Sequence, residues 1–241
     1  MNVKPIATIH NAHRDKFGIP RQSGIAQTDV SYIVFKEGFR TPEALRGIED
    51  FSHLWLLWHF SEMKASREFS PTVRPPRLGG NARVGVFATR SPNRPNSIGL
   101  SSVRLSRIIS TQKYGMVLEV LGADIMSGTE IFDVKPYVPY ADSHPDAVGG
   151  FADRYSEYAL SVVFPSELSE PLDEHELEVI TDILRTDPRP SYQQDAQRLY
   201  TLDYGRWKVS FSVVGDVLRV INLSENETEG DEIYEYMRNH R

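Results

Sequence analysis

Short apolar runs with a period of two dominate the first 140 residues. Segments 3–10 (VKPIATIH), 30–39 (VSYIVFKEGF), 51–60 (FSHLWLLWHF), 82–90 (ARVGVFATR), 99–109 (GLSSVRLSRII), 115–125 (GMVLEVLGADI) and 130–138 (EIFDVKPYV) are rich in β-branched and aromatic residues. Gly, Pro, Ser or Asn separates them, which predicts strands. In 51–60 the alternation puts Trp55, Leu57 and His59 on one face and Leu54, Leu56, Trp58 and Phe60 on the other. In 101–109 it puts Val103, Leu105 and Ile109 on one side, Arg104 and Ser106 on the other. Only 41–50 (TPEALRGIED) predicts a helix here, with Thr41 as N-cap and Pro42 at the first helical position. Strands in series with almost no helix between them predict a mainly β fold, a closed or nearly closed barrel over residues 1–140.

The pattern changes after residue 140. Residues 141–157 are polar, punctuated by Gly and Pro, and predict a connecting segment. Residues 158–164 (YALSVVF) predict a strand and 173–186 (DEHELEVITDILRT) a helix. Asp173 and Glu176 form a capping-box pattern there, and Leu177, Ile180, Ile183 and Leu184 an apolar stripe. DPRPSY (187–192) stops the helix, and 206–223 predict a hairpin turning at Gly215-Asp216. Residues 158–223 are therefore expected to form a small α+β domain, and the acidic residues 224–241 a mobile tail.

Composition narrows the chemistry. With no cysteine, disulfides, thiolate-bound zinc, iron–sulfur clusters and thiol catalysis are excluded, and a reducing compartment suits the chain. The first thirty residues show no signal-peptide pattern, and the longest apolar run, 51–60, is too short to span a bilayer. A soluble, cytoplasmic protein without membrane attachment is expected. No Gly-rich strand–loop–helix of the Rossmann type, no P-loop and no HExxH is present, and no His, Asp or Glu spacing suggests a metal site. The net charge of −6 argues against nucleic acid, yet the distribution argues for it. Between Phe69 and Leu118 there is no Asp or Glu, in a chain with 33 acidic residues, while Arg74, Arg77, Arg83, Arg90, Arg94, Arg104, Arg107 and Lys113 all fall there. Such a window reads either as a solvated basic surface or as an anion-binding face.

Three segments could carry chemistry. In 74–98 (RPPRLGGNARVGVFATRSPNRPNSI), prolines stiffen the backbone around Arg74, Arg77, Arg83, Arg90 and Arg94. Pre-positioned guanidinium forks suit phosphate or carboxylate, although arginines can equally satisfy loop carbonyls. The aromatic strand 51–60 could stack a purine or flank a cationic sulfonium, or could simply be core. Asp133, Lys135 and Tyr137, at i, i+2 and i+4, share a face either as a proton-transfer set or as an ion pair with a tyrosine hydrogen bond.

Taken together, FGIPRQSG (17–24), FSHLWLL (51–57), TVRPPRLGGNARVGVFATRSPNRPNSIGLS (72–101), IFDVKPYVPYADS (131–143) and DPRPSY make the chain resemble the TrmO family, with its TsaA-like domain, over roughly residues 4–221. The resemblance implies a TsaA-like β-barrel, a non-Rossmann fold that binds S-adenosylmethionine. It also implies methylation of N6 of threonylcarbamoyladenosine beside the tRNA anticodon, and a homodimer. By match to family motifs, Gln22, Ser23, Gly24, Arg90, Leu100, Gly122, Ala123, Asp124 and Ile125 would bind the cofactor, with His59, Phe60 and Ser61 adjoining. The proton acceptor would come from the Asp133, Lys135, Tyr137 face or from Asp124, and Arg74, Arg77, Arg83 and Arg94 would face the anticodon stem-loop. The chain departs from the family pattern at Ser97, at Phe60-Ser61 and at Ser127-Gly128-Thr129-Glu130. A non-catalytic nucleotide- or RNA-binding barrel, and a methyltransferase for another substrate, are the alternatives.

Overall fold

The computed structural model describes residues 3–61, 69–75, 78, 82–155, 158–189, 195, 197–226 and 230–240. In chain order its strands and helices are β1 (Ala7–Asn11), β2 (Val30–Phe35), β3 (His53–His59), β4 (Thr72–Val73), β5 (Val84–Gly85), β6 (Ile98–Thr111), β7 (Gly115–Leu121), β8 (Glu130–Pro136), α1 (Pro139–Asp142), β9 (Ser161–Val163), α2 (Ser166–Ser169), α3 (Glu174–Arg185), β10 (Tyr200–Tyr204), β11 (Trp207–Val214), β12 (Val217–Glu225) and α4 (Glu232–Asn239). Six strands pair in the order β1-β2-β7-β6-β3-β8, and β8 returns to β1 through Ala7 opposite Ile131, closing the sheet into a barrel. β10-β11-β12-β9 form a second sheet, with β9 parallel to β12, and β4-β5 a two-stranded ribbon.

The run VSYIVF, apolar but for Ser31, shows no alternation because β2 is buried on both faces. Ile33 and Phe35 point into the barrel with Ile9, Leu54, Leu56, Leu118, Val120 and Ile131. Val30, Tyr32 and Val34 point outwards, where the second sheet and α3 cover them with Leu202, Val209, Phe211, Ile180 and Leu184. β3, with one face less covered, keeps strict alternation: Leu54, Leu56 and Trp58 are buried and their neighbours only partly so. The capping box of α3 forms as its sequence predicts, Asp173 accepting from the Glu176 amide and Glu176 from the Asp173 amide. The 206–223 hairpin turns at Gly215, whose φ of +59° suits glycine.

Four expectations are corrected. Residues 41–50 do not form an α-helix. Two 3-10 turns, Pro42–Leu45 and Ile48–Asp50, are divided by Gly47 at φ +86°, and Thr41 makes no side-chain cap. Segment 82–90 supplies only the two-residue β5 before a 3-10 turn over Val86–Ala88 that displays Phe87 to solvent; among the described residues it pairs only with β4, through Val84 and Gly85. In β6 the register shifts between Leu105 and Arg107. That bulge sends Ile108 to the barrel core and Ile109 to the outer cluster, so Ile109 does not share the face of Val103.

The fourth correction concerns residues 224–241. β12 runs to Glu225, and 232–239 form α4, capped by Asp231 on the amides of Ile233 and Tyr234. Tyr234 and Met237 bury their side chains against the barrel. Polar ties fix the same helix: His10 Nδ1 lies 2.8 Å from Asp231, Ser127 Oγ donates to Asp231, and Arg238 reaches Glu176 at 3.1 Å. Burial alone would raise the Asp231 pKa, but these partners hold it at about 2. The acidic composition had masked an apolar pair spaced i, i+3. Met237→Ala is expected to cost about 2–5 kcal/mol, read as a lower denaturant midpoint. A mobile tail would leave the midpoint unchanged.

Candidate functional site

Strand register decides which loops meet. At one end of the barrel lie the C-termini of β1, β3 and β7 and the N-termini of β2, β6 and β8, as shown by Asn11 opposite Ser31, His59 opposite Ile98, Val30 opposite Leu121 and Trp58 opposite Ile131. Three connections therefore share this mouth: 12–29, 60–97 and 122–129. They contain Gln22, Ser23 and Gly24, then Arg90, then Gly122, Ala123, Asp124 and Ile125.

The first and third loops are tied backbone to backbone. The Gly24 amide donates to the Gly122 carbonyl at 2.8 Å, and the Gly122 amide to the Asp29 carbonyl at 2.9 Å. Gly122 sits at φ +75°, and a Cβ there would press within 3.3 Å of the Gly24 backbone, so the crossing requires glycine. Gly24, by contrast, has open space over its α-carbon. Ala123 and Ile125 are fully buried, so their side chains serve the barrel core.

Asp124 places a carboxylate at the mouth. Ser101 Oγ, buried inside β6, donates to its carboxylate, and Trp58 Nε1 donates to Ser101 Oγ at 3.0 Å. The Trp58 ring packs 4.2 Å from that of Phe60. Gly99 makes room for it: a Cβ at position 99 would fall 2.2 Å from a ring carbon of Trp58. Burial pushes the Asp124 carboxyl above its usual range, and the Ser101 hydroxyl, local backbone, the Arg90 charge and the Ser23 backbone oppose it only in part. Arg90 in turn donates to Gln22 Oε1 at 2.6 Å. A carboxylate that burial makes hold its proton more tightly than an ordinary one is the stronger proton acceptor when ionised, and the Arg90 charge favours that ionised form.

The second sheet braces this mouth from behind. Asp29, wholly buried, takes His13 Nε2 at 2.5 Å and the Tyr204 hydroxyl at 2.9 Å, while its carbonyl holds Gly122. Burial, then the Asp29 charge, raises the Tyr204 pKa and keeps that hydroxyl a donor. Arg21 donates to the carbonyls of Asp187 and Arg189, and Arg189 forks onto the Asp187 carboxylate at 2.7 and 2.9 Å. Thus the start of DPRPSY supports the 17–24 loop; Pro190, Ser191 and Tyr192 lie outside the described residues.

The other expected site residues divide between the rim of the mouth, where His59, Phe60 and Ser61 lie, and places away from it. Arg94 donates to the carbonyls of Val86 and Thr89, so its guanidinium satisfies the loop itself. Arg74 is exposed, Arg83 reaches Thr72 Oγ1 at 3.4 Å, and Arg77 lies outside the described residues. The Phe60 amide donates to the Ser97 carbonyl and the Ser61 amide to the His59 carbonyl, closing the end of β3. Leu100 points outwards, half exposed, opposite Leu57, and His59 lies beside Phe132 at 5.8 Å. Asp133 and Lys135 form an exposed ion pair of 2.9 Å, and Tyr137 packs on Trp55 and His53. Their shared face is real, but it lies on the outside of the sheet, since Asp133 stands opposite Leu57 whereas Ser101 stands opposite Leu56. Tyr137 sits beside His53, six residues along β3 from the mouth, or about 20 Å. Ser101 and Gly99 are positions at the mouth that sequence reasoning did not single out, whereas Trp58 lay in the aromatic strand it did; the inward phase of Ser101 in an otherwise apolar register was the available signal.

Comparison with known proteins gives a consistent result. The family model described as the tRNA-methyltransferase O N-terminal domain matches residues 8–143, and that of the TrmO C-terminal domain matches 157–226. The chain is 37% identical over 214 residues to a protein of Escherichia coli K12 named tRNA (adenine(37)-N6)-methyltransferase, covering 86% of this chain and 89% of that one. It is 40% identical over 239 residues to RcsF of Pseudomonas aeruginosa, provisionally named an S-adenosylmethionine-dependent methyltransferase, covering 92% and 97%. A crystal structure of TrmO from Pseudomonas aeruginosa superposes with a TM-score of 0.72 at 31% identity, covering 93% of this chain and 98% of that one.

Proposed function

Because this chain belongs to the tRNA-methyltransferase O family, we propose that it methylates N6 of adenine 37 in tRNA, using S-adenosylmethionine, with threonylcarbamoyl already on that nitrogen. The observation that carries the reading is the partly buried Asp124 carboxyl, whose pKa burial raises, beside Arg90 in a mouth walled by Gly24 and Gly122. The residues present fit the cofactor's chemistry: Arg90 would hold its carboxylate, the backbone at Gly24 and Gly122 would flank its adenine, and Trp58 and Phe60 would close the apolar side. When bound, the cofactor supplies an electrophilic methyl group on a sulfonium.

Asp124 then has a defined task. A carbamoyl group on N6 withdraws electron density, which weakens the nitrogen as a nucleophile but acidifies its N–H. As the new N–C bond forms and the sulfonium's bond to the methyl breaks, that proton would pass to the Asp124 carboxylate, which Ser101 orients and whose ionised form the Arg90 charge favours. The Asp133–Lys135 pair is assigned no part in this step and belongs to the outer face. Arg74, Arg77 and Arg83 would meet anticodon-loop phosphates, and two copies of the chain would form the working dimer. The direct test is mass spectrometry of tRNA nucleosides from cells with and without the gene. Loss of the N6-methylated threonylcarbamoyladenosine is expected, and an unchanged nucleoside profile would refute the reading.

A further inference from the structure

The ribbon beside the mouth displays two aromatic rings that the barrel does not need. Phe87 is 71% exposed and Phe69 55%, and their rings lie near-parallel, 26° apart with centroids separated by 6.2 Å. Phe87 is held out stiffly. Its neighbour Val86 is buried, the Val86 amide donates to Pro71, and the Val86 carbonyl accepts from the Thr89 amide, the Thr89 hydroxyl and Arg94. Two exposed aromatic rings side by side form a contiguous apolar patch, the kind of surface feature that marks an interaction site.

The surrounding charge identifies what does. Arg94 lies over the Phe87 ring at 5.8 Å, and pairing of Thr72 with Gly85 and Val73 with Val84 places Arg74 and Arg83 at the other end of the same short ribbon from the two rings. No acidic residue falls between positions 69 and 118. Flat rings under one guanidinium, on a ribbon whose far end carries two more, suit a polyanion with flat faces, which is single-stranded RNA. A second copy of this chain would set the same arginines against each other across a two-fold contact, which like charges oppose. The same loop continues from Phe87 to Arg90 at the mouth.

We propose that Phe69 and Phe87 are a stacking platform for an unpaired base of the RNA loop that presents the target adenine, an inference that rests on the tRNA reading above. Base stacking of this kind adds affinity without adding counterion release. Phe87→Ala and Phe69→Ala should each weaken binding of a synthetic anticodon stem-loop RNA by about tenfold or more, measured by fluorescence anisotropy. The slope of log affinity against log salt should stay at its wild-type value, as should S-adenosylmethionine affinity by calorimetry. Phe87→Trp should retain RNA binding. Unchanged RNA affinity in both alanine variants overturns the platform, and so does a Phe87→Ala protein whose protomer number changes in light scattering. Wild-type protein that fails to methylate tRNA yet binds the stem-loop in a Phe87-dependent manner refutes the methyl-transfer reading alone. Active wild-type protein with Phe87-independent RNA affinity refutes the platform alone.

Discussion

Gly99→Ala is expected to disable the mouth although position 99 carries no chemistry. The added Cβ would lie 2.2, 2.5 and 2.6 Å from three carbons of the Trp58 indole, and cross-strand pairing of Gly99 with Trp58 leaves the backbone no way to retreat. The ring must move instead, and it is buried against Phe60 with its Nε1 bonded to Ser101. Overpacking costs about 1–3 kcal/mol, and the lost hydrogen bond about 1 kcal/mol more. For a chain of this length each kcal/mol lowers Tm by roughly 2–4 °C. Ser101 then loses the donor that orients it toward Asp124, and a misplacement of about 1 Å at a reacting group can reduce kcat/KM about a hundredfold. Gly85→Ala is the control: its Cβ meets open space and its φ of −59° suits alanine, so stability and activity should match wild type. A Gly99→Ala protein as stable and active as wild type would sink the account of the Trp58–Ser101–Asp124 line.

Much of this arrangement was legible in the chain, and the rest was hidden for identifiable physical reasons. The period of two in 51–60 correctly separates Leu54, Leu56 and Trp58 from Trp55, Leu57 and His59, because one face of that strand meets the core. Asp173 and Glu176 declare the start of α3, because capping is a local interaction. Register is not local. Nothing in the sequence of β3 states that Leu56 faces Ser101 while Leu57 faces Leu100 and Asp133, and that offset of one residue separates the inside of the barrel from the outside. Asp133, Lys135 and Tyr137 thus satisfy the spacing of a proton-transfer set and still stand on the far side of the sheet, stretched away from Arg90. Composition misled at the C-terminus, where a run of acids concealed Tyr234 and Met237. Residues 41–50 misled through Gly47, whose left-handed backbone breaks a helix that Thr41 and Pro42 would otherwise begin.

Asp124→Asn is expected to separate activity from stability in opposite directions. Burial raises the Asp124 pKa above the ordinary carboxylate value of 3.8, against the partial opposition of Ser101, Arg90 and the Ser23 backbone. The folded chain therefore holds this proton more tightly than the unfolded chain. Its contribution to stability is complete below the ordinary value and is lost as pH rises through the raised folded value. At neutral pH the ionised carboxylate is a net cost to the fold. Asparagine removes the charge while its amide oxygen still accepts from Ser101. The variant should melt above wild type at pH 7, and that advantage should vanish in acid. Turnover should move the other way, by about 10²- to 10⁴-fold, the usual worth of a positioned base. S-adenosylmethionine affinity should change little, since Arg90 and the glycine backbones remain. In wild type the acidic limb of kcat/KM should lie above the ordinary carboxylate range, and it should be absent from the residual activity of the variant. Asp133→Asn provides the contrast. It breaks an exposed pair of 2.9 Å worth no more than about 1 kcal/mol, and turnover should stay close to wild type. If Asp124→Asn retains turnover, or Asp133→Asn abolishes it, the proton acceptor lies on the outer face and the assignment to the mouth is wrong. A gain in melting temperature together with a collapse in turnover is the combination expected when a fold keeps a partly buried charge for its chemistry.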